Sequence, residues 1–338
     1  MKRVVYIAFL AGLTLFTMLV AYQGVTQVAS ALAMAGWGLL VVVLFHFIPM
    51  TADGLSWYVL LDPTSRPRFR TILWARWIGE SVDTLLPVAQ IGGELVKTRL
   101  LTHYQVPGSQ AGASVVVNLT LAVFTQVIFT LVGLVLLTLL LGEGKLAQGI
   151  LAVTAFSSLS IVGFYWFQQR GLFGWLARRF ETLAGGRNWL ALVGGADALD
   201  TAVIQLYHQR RQVFRSTSWM LLGWLLGAGE VWLALYFLDH PVGWIEALMI
   251  ESLAQAVKGA AFLVPGALGV LEGGYILLGS LIGLPYSTSL ALALTRRVRE
   301  LCLGVPGLLM WQFMEGKRLW RQTKSAQERL SIDTSLSN

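Results

Sequence analysis

Residues 76–101, RWIGESVDTLLPVAQIGGELVKTRLL, decide how this chain is read. Glu80, Asp83 and Glu94 interrupt an otherwise apolar run, together with Pro87 and the pair Gly92-Gly93. Proline has no backbone N–H to donate and its ring clashes with the preceding turn, so a helix cannot pass undisturbed through Pro87. Inside lipid an unpartnered backbone group is costly, and non-helical chain survives only where protein or a wet cavity covers it. The segment therefore reads as a broken element shielded within a membrane protein. Glu80 and Asp83, one turn apart, share a helix face.

Composition supplies the membrane. The 338 residues are 56% hydrophobic and 13% charged, with a mean hydropathy of +0.66. Soluble proteins carry roughly 25% charged residues, so a water-soluble enzyme is excluded. The net charge of +7 reports orientation in such a chain, and nucleic acid is not expected as a partner. Cys302 alone cannot form an intrachain disulfide. His46, His103, His208 and His240 show no ligand-like spacing, which gives no reason to expect a metal or other cofactor.

Apolar spans are predicted at about 4–22, 36–61, 112–141, 146–167, 219–238 and 287–313, the first as an uncleaved helix. Of the 25 Lys and Arg, 20 fall in residues 1–3, 66–76, 97–99, 170–215 and the tail after 315. Excess Lys and Arg stay cytoplasmic, so these segments and both termini share one side. Arg76 and Lys97 then lie on the same face, and the stretch between them is a re-entrant hairpin or lies flat at the interface. The same parity makes 244–283 a second hairpin, entering from the opposite side. The fold class expected is all-α and polytopic, with about six transmembrane helices plus two broken re-entrant hairpins arranged as an inverted repeat. Residues 1–320 are expected to form a single integral membrane domain with a cytoplasmic loop at 168–218, which carries a helix over 197–215, interfacial or, as the alternative left open, a solvated linker. Residues 321–338 are a flexible cytoplasmic tail.

The two broken segments echo one another. Glu80-Ser81-Val82 corresponds to Glu251-Ser252-Leu253, Leu86-Pro87 to Val264-Pro265, and Glu94 and Glu272 each stand seven residues after their proline. The first Glu lies 7 residues before the proline in one segment and 14 in the other, so coincidence stays open as an alternative. Paired Gly/Pro-interrupted segments of opposed orientation mark a binding site near mid-membrane in transporters built from inverted repeats. Pro87, Gly92, Gly93, Pro265, Gly266 and Gly269 are the expected break positions.

Charges within the spans point the same way. Glu251 and Lys258 share a face, Glu230 follows Gly227 in mid-span, and Arg296-Arg297-Val298-Arg299-Glu300 falls inside the last span. A charge at the bilayer centre costs roughly 2.5–3.5 kcal/mol on the insertion scale, so the arginines need partners. Arg296 and Glu300 can pair at i,i+4, and carboxylates of the broken segments can serve the others. Three readings stay open: satisfied pairs that only hold the bundle together, a cytoplasmic loop at 295–300, or a functional cluster. The loop would leave 301–313 too short to cross. As a functional cluster, Arg296, Arg297 and Arg299 suit bidentate capture of a phosphate headgroup, with Glu80, Asp83, Glu94, Glu251, Lys258 and Glu272 balancing charge or carrying protons.

Residues 76–101, with their Leu-Pro, Gly-Glu and following basic residue and leucines, resemble the signature of the flippase-like family that includes the transmembrane region of lysylphosphatidylglycerol synthases. Residues 262–275, FLVPGALGVLEGGY, are similar to its second signature, and residues 296–311 to its closing Arg-containing helix. The spacing is nearest to the hopanoid-biosynthesis-associated branch, and Asp83 stands where many members carry asparagine. The resemblance covers about residues 1–320 and includes no aminoacyl-transferase domain. It implies a bacterial inner-membrane protein that moves a lipid, an anionic phospholipid or a hopanoid-type lipid, without aminoacylation. Homo-oligomerisation is left open. Two rivals are carried beside this: a scaffold for hopanoid-making partners, and a membrane-embedded headgroup transferase. No nucleophile–His–acid set, metal triad or nucleotide loop is visible, so an enzyme is not expected.

Overall fold

The computed structural model describes residues 33, 36–86, 92–141, 166, 170, 194–261 and 264–336; for 141, 265 and 315–336 it describes the backbone alone. The described residues form a helical membrane-type bundle. Helices α1 (Gly38–Phe45) and α2 (Phe47–Leu60) follow one another through His46, whose backbone stays helical at φ −55°, ψ −28°. Together they make a 23-residue apolar stretch. At 1.5 Å per residue that is about 35 Å, enough to cross a hydrocarbon core. Helices α5 (Gly108–Leu141) and α7 (Arg210–Phe237) are also long and apolar enough to span. These three match the spans expected at 36–61, 112–141 and 219–238. The spans expected at 4–22 and 146–167 lie outside the described residues.

The first broken segment is two helices, α3 (Phe69–Leu85) and α4 (Gly92–His103). Leu86 is extended at φ −104°, ψ 146°, the backbone forced on a residue that precedes proline. Pro87 itself lies outside the described residues. Helix α6 (Ala196–His208) then lies against α5. The second broken segment runs from α8 (Trp244–Ala260) through a 3₁₀ turn (Pro265–Ala267) to α9 (Val270–Leu281). Gly266 at φ 61° and Gly269 at φ 75° adopt left-handed backbone that a side chain would strain, so glycine is what permits this turn. Helix α10 (Tyr286–Leu336) closes the described chain.

Three differences from the sequence reading are evident. The helix expected over 197–215 is divided at Gln209 (φ −80°, ψ 62°), and Arg210, Arg211 and Arg215 open α7. Leu199, Val203 and Leu206 are buried in a cluster with Val117 and Leu121 of α5 and Met220 of α7. This apolar stripe thus finds its partner in the bundle. The tail expected to be flexible from 321 is helical to Leu336, because its Gln, Lys, Glu, Arg and Leu residues are good helix formers and continue an established helix. Residues 295–300 are mid-helix in α10 with Arg296 and Arg299 buried, so the cytoplasmic-loop alternative is overturned.

Packing is organised around the broken pairs. Helix α3 packs on α4 and α10, and α8 packs on α9 and α5; α2 touches α3 as α7 touches α8, and α2 and α7 run against each other. Small residues allow that last approach. Ser56 of α2 hydrogen-bonds Ser216 of α7 at 2.9 Å, and a Cβ on Gly223 would run into Asp53. The 3₁₀ turn rests on α3: a Cβ on Gly266 would lie 3.4 Å from the Thr84 carbonyl oxygen. The second break therefore abuts the end of the helix that leads into the first.

Candidate functional site

A cavity of about 280 Å³ opens between these elements. Its wall includes Asp83 and Thr84 at the end of α3, Gly266 of the 3₁₀ turn, and Gly223 and Gly227 of α7. Six carboxylates line it (Asp53, Glu80, Asp83, Glu94, Glu230, Glu251), facing five cations (Arg76, Lys97, Lys258, Arg296, Arg299) and His46. Counting six negative against five positive leaves −1 with His46 neutral and zero with His46 charged.

Helix geometry positions the set. Arg76, Glu80 and Asp83 fall on successive turns of α3, so they share one face, which is turned toward α2 and α4. Arg76 pairs with Asp53 of α2 at 3.1 Å and with Glu80 at 3.3 Å. Asp83 accepts the Gly93 N–H at 2.8 Å, which ties the end of α3 to the start of α4. This contact is possible because Gly79 and Gly93 bring the two backbones together; a Cβ on Gly93 would meet the Gly79 carbonyl and the Asp83 carboxylate. Lys97, only 3% exposed, pairs with Glu94 at 2.7 Å and lies 5.2 Å from the centre of the Trp57 ring.

The arginines of α10 each meet a carboxylate on a different helix. Arg296 pairs with Glu251 of α8, whose other oxygen accepts from Gln255 at 2.7 Å. Arg297 donates to Glu272 of α9 and to Glu300, both at 2.7 Å. Arg299 pairs with Glu230 of α7. The i,i+4 pair expected between Arg296 and Glu300 is not the one formed. Glu300 instead meets Arg297, Lys258 at 3.7 Å and Arg299 at 4.0 Å, because the Arg296 guanidinium is held by Glu251. His46 is the junction of the network: Nδ1 lies 2.7 Å from Glu230 Oε1 and 3.0 Å from Arg299 Nη1, and Nε2 lies 3.0 Å from Glu80 Oε1.

Most residues predicted for the site meet here. Glu80, Asp83, Glu94, Glu251, Lys258, Arg296 and Arg299 line the cavity, whereas Arg297 and Glu272 stand behind it as a buried pair. Pairing does not use every donor and acceptor. Arg296 Nε, Arg297 Nη2, Glu272 Oε2 and the Tyr275 hydroxyl are buried without a hydrogen-bond partner among the described residues. Of the break positions, Gly92 and Gly93 form the first turn of α4, Pro265 and Gly266 the 3₁₀ turn, and Gly269 precedes α9.

Sequence reading missed His46, Asp53, Arg76 and Lys97 as site residues. Arg76 and Lys97 serve in the sequence as orientation signals, and both also belong to the cavity wall. Asp53 did carry a signal, being the lone charge in residues 36–61, and an ionisable residue within a span is a functional candidate by default. Among the described residues no group of three His, Cys, Asp or Glu could hold a metal ion.

Compared with known proteins, the chain matches the family described as the lysylphosphatidylglycerol synthase TM region over residues 6–307. The chain belongs to this family. Neither a curated protein nor a solved structure matches it. Membership identifies a membrane protein in lipid handling, and the matched region takes in both broken segments and the arginines of α10.

Proposed function

We propose that the protein moves a lipid with an anionic headgroup between the leaflets of the bacterial inner membrane, with both termini cytoplasmic and hopanoid or phospholipid handling as its setting. The carrying observation is a charged cavity of about 280 Å³ beside both helix breaks. Acyl or polycyclic tails stay in the bilayer, and the headgroup alone takes the polar route. A phosphate reaching Arg299 takes the place of Glu230, which His46 also contacts, so the guanidinium stays satisfied while the anion passes.

An inverted repeat fits the packing. Exchanging α2, α3, α4 and α5 for α7, α8, α9 and α10 maps the α3–α10 contact onto α8–α5, and the α2–α3 contact onto α7–α8. Such symmetry lets two halves alternate around one site. The protein acts in this account as a transporter and not as an enzyme. The test is reconstitution of the full chain with labelled phosphatidylglycerol. Transbilayer movement above empty vesicles is expected, with unchanged lipid on product analysis. No movement for any anionic lipid tried, or a chemically altered headgroup, contradicts the proposal.

A further inference from the structure

His46 is a buried imidazole set among groups that cannot all be matched at once. From α3 it faces Glu80, whose other oxygen is held by Arg76; from α7 it faces Glu230; from α10 it faces Arg299, with Glu300 behind. Asp53 of α2 acts on it through Arg76, and the Glu251–Arg296 pair of α8 and α10 stands on the same cavity wall. A neutral imidazole has one N–H and one lone pair. If Nε2–H donates to Glu80, Nδ1 can accept from Arg299, but Glu230 Oε1 then presents a lone pair to a lone pair at 2.7 Å. An imidazolium donates to both carboxylates, and Arg299 Nη1 then faces an N–H at 3.0 Å and keeps only Glu230 Oε2 as its acceptor. One proton decides which of Glu230 and Arg299 is matched at Nδ1.

Position adds a second observation. Besides the main cavity, His46, Glu80, Thr84 and Arg299 line a separate cavity of about 20 Å³, together with Trp77, Ser81 and Glu300. Roughly 10–15 Å³ is room for one water molecule. The imidazole thus lines both spaces, and its two ring nitrogens are distinct sites at which a proton can be taken up and given away.

We propose that His46 binds the proton that couples headgroup movement to a pH gradient. The inference rests on the lipid-movement reading and names its coupling ion. A proton from solvent adds to the free imidazole nitrogen and makes His46 a cation. The lining charge rises from −1 to zero, Glu230 is neutralised by the imidazolium, and Arg299 is released to bind the incoming phosphate. Loss of the proton on the other side returns Glu230 to Arg299 and expels the anion. One proton accompanies one headgroup charge.

The test uses the full chain with selectively ¹⁵N-labelled histidine in phosphatidylglycerol nanodiscs, the His46 signal being assigned by its loss in His46→Gln. Between about pH 8 and about pH 5, His46 is expected to convert from a neutral tautomer to an imidazolium. Glu80→Gln is expected to lower the imidazolium fraction at a given pH, since a carboxylate that favours the charged ring is gone. A single protonation state across that range overturns the proposal. In vesicles with labelled phosphatidylglycerol, each unit of pH gradient is expected to shift the steady-state leaflet distribution about tenfold, the equivalent of one proton per lipid. Lipid movement that ignores the gradient overturns the coupling and leaves the transport reading standing. Protonation of His46 without any lipid movement overturns the transport reading and the coupling together.

Discussion

The two broken pairs use the same parts in different surroundings. On α3 the Glu80–Arg76 pair is partly open, the two side chains being 28% and 23% exposed, although Lys97 of α4 is closed off at 3%. The Glu251–Arg296 pair of α8 and α10 is sealed, at 2% and 5% exposed, although Lys258 of α8 is 27% exposed, and the surrounding cluster of Ile250, Leu253, Tyr275 and Leu292 is the largest among the described residues. A sealed pair resists change, since separating its charges leaves one of them buried and alone. An open pair exchanges partners at lower cost because solvent takes up the loose charge. The Glu251–Arg296 pair is therefore the frame and the Glu80–Arg76 pair the side that gives.

The largest effect that separates the two follows from removing one carboxylate from each. Glu251→Ala leaves Arg296 buried without its ion partner and is expected to cost about 3–5 kcal/mol of stability. Glu80→Ala leaves Arg76 with Asp53 and His46 with Glu230 and is expected to cost about 1 kcal/mol. Unfolding of the detergent-solubilised protein compares them, and equal losses would erase the distinction between frame and moving side. Next come the glycine pairs. Gly93→Ala drives a methyl group into the Gly79 carbonyl and the Asp83 carboxylate and is expected to cost about 1–3 kcal/mol. Gly274→Ala meets the Val257 side chain at 3.1–3.5 Å, which can shift, and is expected to cost less than about 1 kcal/mol. At Gly273 an added Cβ has nothing within 4 Å, so Gly273→Ala should stay within about 0.5 kcal/mol on the same measurement. The smallest effect is at exposed Cys302, where Cys302→Ala is expected to change neither stability nor lipid movement beyond about 0.5 kcal/mol.

How much of this was legible depended on whether a residue's chemistry is local. The breaks near 87 and at 265–269 follow from proline and glycine alone, and the need of Arg296, Arg297 and Arg299 for partners follows from the expense of charge in lipid. Which carboxylate each would take did not follow. Arg296–Glu251 and Arg299–Glu230 join residues 45 and 69 positions apart, so the folded bundle decides them. Arg76 and Lys97 were hidden by a rule that treats basic residues near span ends as orientation signals. That rule has no means of knowing that Glu80 and Asp53, or Glu94 and Trp57, await the charge inside. His46 carried the same signal as Asp53, an ionisable group within a span, but its partners come from three other helices and only the folded bundle names them. The helical end of the chain was missed because low hydropathy was read as disorder, although its residues favour helix.

Cysteine accessibility tests the central claim most directly. Thr84 and Gln255 line the cavity from α3 and α8. On a Cys302→Ala background, Thr84→Cys and Gln255→Cys in intact membranes should both react with a small, charged thiol reagent, and added short-chain phosphatidylglycerol should slow both reactions. Failure of both cysteines to react, in a protein that still folds, would contradict a hydrated route for the headgroup where the two breaks meet.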